Sequence, residues 1–181
     1  MIVKTGRFGQ LTIDEKEVIE FPNGILGFPE CRRFCIIDPG DDTLILWLQS
    51  LDDLNLVFPV LEPRIFVPDY RVRLSAAELR ELHLSNINQS AVYSILTIPS
   101  DLHEMTANLK APIVINLDKS LGRQVVLQEN EYSIKHKMFK ELRTHLLTIS
   151  SQSQKVDEAV PGTLAIQDLP RSTQVQTLRH D

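Results

Sequence analysis

Thr43-Leu44-Ile45-Leu46-Trp47-Leu48 is the strongest apolar run of the chain and carries its only tryptophan. After a turn holding Asp52-Asp53 comes a second run, Asn55-Leu56-Val57-Phe58-Pro59-Val60-Leu61. Two strand-length apolar runs joined by a short acidic turn read as a β-hairpin. Pro59 has no N–H to give to a ladder, which places it at an edge or a bulge.

The flanking sequence repeats this pattern. Toward the N-terminus, Gln10-Leu11-Thr12-Ile13 alternates and Val18-Ile19-Glu20-Phe21 makes another short strand, with Asp14-Glu15-Lys16-Glu17 as an acidic turn between them. Residues 22–29 are dense in Pro, Asn and Gly, the composition of an ordered loop, and Ile25, Leu26 and Phe28 can pin that loop to a core. Phe34-Cys35-Ile36-Ile37 reads as a buried strand ended by Pro39-Gly40-Asp41-Asp42. Toward the C-terminus, Ser75 and Glu78 have capping-box spacing at the start of a short helix. Strands follow at Ala91–Ile98, at Ile113-Val114-Ile115 and at Gln124-Val125-Val126-Leu127, with Gly122 expected in the turn between the last two. Many short strands without strand–helix alternation predict a mainly β fold. The expectation is a small antiparallel β-barrel-like domain over 1–138 with one short helix. The extension 139–181 adds a helix and a tail. Met138, Phe139, Leu142, Leu146 and Ile149 recur at helical spacing and predict an amphipathic helix over about 136–149. The stretch from 150 to 181, rich in Ser, Thr, Gln and Pro, predicts disorder.

The formal charge is -5. Residues 1–138 hold 14 Lys+Arg against 19 Asp+Glu, whereas 139–181 hold five of each, so the acidity belongs to the expected domain. That balance argues against direct binding to nucleic acid, whose phosphates need a basic face, and suits a basic protein partner. No apolar run reaches membrane-spanning length, and the N-terminus lacks the charged-then-apolar pattern of a signal peptide. A cytoplasmic protein is expected. Cys31 and Cys35 lie among apolar residues with no second pair to complete a zinc site, so they read as reduced, buried thiols.

Catalytic patterns are missing. The five histidines form no i,i+4 pair and no His-Glu-x-x-His motif, Gly24-Ile25-Leu26-Gly27 lacks the Lys-Ser/Thr ending of a phosphate loop, and there is no Gly-x-Ser-x-Gly elbow. Asp101-Leu102-His103-Glu104 crowds two carboxylates around one imidazole, which reads either as a capped helical turn or as part of a metal or hydrolytic site. The expectation is a protein without catalytic residues, metal or cofactor. The acidic groups Asp14, Glu15 and Glu17, Asp41 and Asp42, and Asp52 and Asp53 all fall in turns. Turns collect aspartate for local hydrogen bonding, but if the sheet gathers them at one end they form a negative patch that steers a basic partner.

Several segments together resemble the FliW family of flagellar assembly factors. They are Phe21-Pro22-Asn23-Gly24-Ile25-Leu26-Gly27-Phe28, Trp47-Leu48-Gln49-Ser50, Val67-Pro68-Asp69-Tyr70, Asn108-Leu109-Lys110-Ala111-Pro112-Ile113-Val114-Ile115-Asn116 and Gly122-Arg123-Gln124-Val125-Val126-Leu127, with Tyr132 and His136 closing the stretch. The resemblance covers about residues 1–138. It implies a small β-barrel-like regulator that binds newly made flagellin and, when free, binds the RNA-binding repressor CsrA, so that flagellin translation resumes. The alternative it leaves is a flagellin-guarding module that never touches CsrA. Asn108, Lys110 and Asn116 are the expected surface candidates beside the Pro112–Ile115 strand, while Phe21, Ile25, Phe28 and Trp47 are expected as core or loop anchors. The core is expected to be monomeric, and the resemblance is silent on residues past His136.

Overall fold

Side-chain alternation along one sheet builds three separate cores here. The computed structural model describes residues 1–40, 44–128 and 131–156. Its strands are β1 (Ile2–Thr5), β2 (Gly9–Thr12), β3 (Ile19–Glu20), β4 (Arg33–Ile37), β5 (Leu46–Ser50), β6 (Val57–Leu61), β7 (Ala91–Thr97), β8 (Thr106–Ala107), β9 (Ile113–Asn116), β10 (Leu121–Gln124) and β11 (His136–Lys137). The helices are α1 (Ala76–Glu81) and α2 (Phe139–Val156). Strands β3, β4, β5, β6 and β7 pair in series. Strand β7 also pairs with β9, and β9 with β10, which returns to β3, so seven strands close into a barrel. Every pairing in the ring is antiparallel except the short β3–β10 contact at Glu20 and Leu121. Closure leaves this ring without an open edge. The β1–β2 hairpin packs outside it, and β8 and β11 continue from the far end of β7.

The hairpin expected over 43–61 forms as β5 and β6, with Trp47 opposite Pro59. Strand β6 is internal to the ring, not an edge. It pairs with β7 only through Val60 and Leu61, so Pro59 sits where the ladder is one-sided and its missing N–H costs nothing. The barrel interior is filled by Phe21, Phe34, Leu48, Val60, Ile113 and Ile115. Phe21 meets Phe34 edge-on with ring centroids 5.0 Å apart. Gly122 lies within β10 opposite Ile115, not in a turn as the sequence suggested. A Cβ there would stand 2.3 Å from the Phe21 ring, so the glycine is required by close packing. The turn precedes it and includes Ser120, at φ 51°.

The opposite faces of the same strands carry the other two cores. Cys35 and Ile37 of β4 join Leu11, Ile13 and Leu51 beneath the β1–β2 hairpin, where the Arg7 guanidinium lies 3.7 Å over the Trp47 ring. Val92 and Leu96 of β7 and Val114 of β9 join Leu61, Phe66, Tyr70, Leu82 and Met138 in the largest core. Helix α1 starts as expected: Ser75 Oγ accepts from the Glu78 N–H at 3.3 Å, and the Ser75 N–H donates to Glu78 Oε2 at 2.7 Å.

The C-terminal helix is displaced from its expected span. His136 and Lys137 pair with β8 as β11, so the helix begins at Phe139 and runs on to Val156. The ladder claims two residues that the apolar spacing alone had given to the helix. Met138 and Leu142 are buried in the largest core, with Leu146 packed against it. Residues 150–156, expected to be disordered, are the helix's last turns. The rest of that expectation, 157–181, lies outside the described residues.

Candidate partner-binding surface

The acidic turns among the described residues do not meet at one end of the barrel. Ile19 pairs with Phe34 and Glu20 with Arg33, so the chain running back through Glu17, Glu15 and Asp14 heads toward the Ile37 end of β4. Phe34 pairs with Ser50, so Asp52 and Asp53 follow β5 at the Arg33 end. Five strand residues, about 13 Å, separate the two ends. Asp41 and Asp42 lie outside the described residues.

Local geometry shows what most of these side chains already do. Asp14 caps the short turn Glu15–Glu17, accepting from the Lys16 N–H at 3.1 Å, while Glu17 accepts from the Asp14 N–H at 2.9 Å. Glu15 is exposed. Asp52 accepts from the Arg32 and Arg33 N–H groups at 2.7 and 2.8 Å and from Arg33 Nε at 2.8 Å. Partial burial pushes its carboxyl up. The two backbone N–H groups and the Arg33 guanidinium outweigh that and hold it below the usual aspartate value. Asp53 accepts from the Asn55 N–H at 3.0 Å.

Among the residues beside β9, Asn116 is not at the surface. It is 4% exposed. Its Nδ2 donates to the carbonyls of Leu82 and His83 at 2.8 and 3.2 Å, and its Oδ1 accepts from the N–H groups of Asp118 and Lys119 at 3.1 and 3.3 Å. The amide therefore fastens the β9–β10 turn to the end of α1. Its full use of donors and acceptors explains why a polar residue ends a buried strand. Asn108 is half-buried and accepts from the Ala111 N–H at 3.0 Å, shaping the turn into β9. Lys110 is half-buried.

The Phe21–Phe28 segment divides between core and surface. Phe21 and Ile25 are buried, as expected, but Leu26 is 59% and Phe28 39% exposed. The tip is tied down. Phe28 donates its N–H to the Ile25 carbonyl at 2.7 Å, and Gly27 supplies φ 88°. Phe28 rests edge-on against Phe58 at 5.6 Å.

The Asp101–Glu104 segment is a capped turn. Asp101 accepts from the His103 N–H at 3.0 Å and meets the His103 ring Nδ1 at 3.0 Å, and Glu104 pairs with Lys137 at 3.0 Å. No group of three metal-ligating side chains gathers among the described residues. Both cysteines are buried and unpaired with each other. Burial, and then the Glu17 charge, push the Cys35 thiol up to about 12, the opposite of what a nucleophile needs. No helix among the described residues is long and apolar enough to cross a membrane.

Sequence reading missed one feature, a cleft of about 300 Å³ lined in part by Arg64, Arg71 and Arg73. The Arg-Val-Arg spacing at 71–73 was its only trace in the sequence.

Among the described residues, then, the fold defines a closed β-barrel protein whose polar groups stabilise turns and surfaces without converging on a reaction centre. Comparison with known proteins agrees in kind. The family described as FliW protein matches residues 2–138. A flagellar assembly factor FliW from Bdellovibrio bacteriovorus is 38% identical over 164 residues, which is 88% of this chain and 94% of that protein. One from Thermosipho africanus is 43% identical over 133 residues, covering 73% and 92%. A crystal structure of the flagellar assembly factor FliW superposes with a TM-score of 0.72 at 36% identity, over 77% of this chain and 97% of that one. This chain belongs to the FliW family of flagellar assembly factors. The Bdellovibrio alignment covers more of the chain than residues 2–138 supply, so the likeness runs on into α2, beyond where the sequence motifs stopped.

Proposed function

We propose that this chain is a cytoplasmic regulator that binds flagellin before export and, when free of it, binds CsrA and draws it off the flagellin messenger. Membership of the FliW family across the whole barrel carries this reading. Two physical features support it. A chain of formal charge -5 is a poor ligand for RNA and a fair one for a basic RNA-binding protein. The rigid, exposed tip at Leu26 and Phe28 offers apolar area whose docking costs little ordering entropy. Of the residues proposed for contact, Glu15 and Asp53 are exposed, Asn108 and Lys110 are half-buried, and Glu17 and Asp52 contribute charge while holding their turns.

The test is competition in solution. Purified chain is mixed with CsrA bound to a labelled flagellin leader RNA, then flagellin is added. The expected result is RNA release by the chain and reversal by flagellin. A chain that captures flagellin yet leaves the CsrA–RNA complex intact supports the flagellin-guarding alternative. Failure to bind either protein at micromolar concentration and low salt removes the proposal.

A further inference from the structure

In a chain of formal charge -5, the cleft under residues 64–73 is lined by three arginines and by no carboxylate. Arg64 Nε meets Glu62 at 3.2 Å, with both side chains about half exposed, so that pair is screened and exchangeable. Arg71 and Arg73 are exposed, and among the described residues neither has a carboxylate at ion-pair distance. The backbone at Tyr70 and Arg71 is nonetheless fixed. Tyr70 Oη donates to the Leu109 carbonyl at 2.7 Å, and the Arg71 N–H donates to Tyr132 Oη at 3.0 Å. The two tyrosine rings lie 4.7 Å apart. Val72 and Ile87, both half-buried, line the cleft beside Tyr70 and Asn88, and buried Val92 backs it.

Unpaired guanidinium groups beside half-buried aliphatic side chains suit one kind of ligand. We infer that this cleft binds an acidic peptide segment of a protein partner, with carboxylates on Arg71 and Arg73 and a neighbouring aliphatic side chain on Val72 and Ile87. Arginine pairs with carboxylate through two parallel hydrogen bonds, and the tether removes part of the ordering cost. About 300 Å³ accommodates a few side chains. RNA is disfavoured because the rest of the chain, acidic overall, repels a long polyanion. This inference goes beyond flagellin and CsrA: it assigns a ligand chemistry to arginines that the function proposed above does not use.

The full-length chain is titrated into a fluorescein-labelled peptide of alternating Glu and Leu, read by anisotropy at low salt. A peptide with Gln for every Glu and a single-stranded RNA of equal length serve as comparisons. The Glu peptide should bind about tenfold tighter than either. The double variant Arg71→Gln, Arg73→Gln should lose about tenfold in affinity for it, with an unchanged melting curve. Equal affinity for the Glu and Gln peptides, tighter binding of RNA, undiminished binding by the variant, or no binding at millimolar peptide would each overturn the inference. The peptide comparison needs no variant and no flagellar protein, so its outcome is independent of the function proposed above.

Discussion

The turn after β9 and the segment 64–73 both carry polar side chains beside the barrel wall, but they use them in opposite ways. In the first, Asn116 gives both amide protons and both oxygen lone pairs to backbone groups and is almost wholly buried. In the second, the side chains of Arg71 and Arg73 are exposed at a cleft and have no carboxylate partner among the described residues. Asp52 stands between these extremes: its carboxylate reaches the surface, yet it is saturated by Arg32 and Arg33. The difference teaches that a charged or polar letter marks a contact surface only when the molecule's own backbone leaves it unclaimed.

Three measurements would break or sharpen that contrast. The largest effect is expected for Asn116→Ala. Removing the amide leaves the Leu82 and His83 carbonyls without their donor in a buried setting, for a loss of about 3 kcal/mol in denaturant unfolding. A loss below about 1 kcal/mol would mean water replaces the amide and the turn is not fastened as described.

A smaller and pH-dependent effect is expected for Asp52→Asn, about 1 kcal/mol at neutral pH, the exposed setting discounting the charge-assisted bonds. The folded pKa of Asp52 lies below its unfolded value. Its contribution is therefore complete above the ordinary aspartate range and is lost as pH falls through the lowered value. The melting curves of wild type and variant should converge in that acidic window. A gap that stays constant down to the most acidic pH would assign the effect to packing instead of charge.

The smallest effect is expected for Arg73→Ala, within about 0.5 kcal/mol of wild type in the same unfolding assay, because no internal partner is lost. A larger destabilisation would show that the guanidinium serves the fold and would erase the contrast with Asn116.

Much of the architecture was legible because strand physics is local. The apolar runs Phe34–Ile37 and Leu46–Leu48 each placed a strand correctly, and Ser75 with Glu78 placed α1. The candidate site was far less legible. Asp14, Asp52 and Asn116 looked like surface ligands; each also fastens a turn, and Asn116 is buried. Their partners are backbone groups, which every residue carries and no letter reveals. Gly122 was read as a turn residue because the Phe21 ring that excludes its Cβ lies some hundred residues earlier. His136 and Lys137 were read as helix because the β8 ladder that claims them lies some thirty residues earlier in sequence.

The sequence by itself determined the class: short alternating strands, a capped helix, a C-terminal helix and an acidic chain with the motifs of the FliW family. Folding in three dimensions settled that the sheet closes through β7 and β9, that the Asp14–Glu17 and Asp52–Asp53 turns part to opposite ends of β4, and that three arginines gather at one cleft. Periodicity and capping arise between residues a few positions apart and so are written in the sequence. Closure, charge placement and the sharing of hydrogen bonds are set by contacts between distant segments, which exist only once the chain has folded.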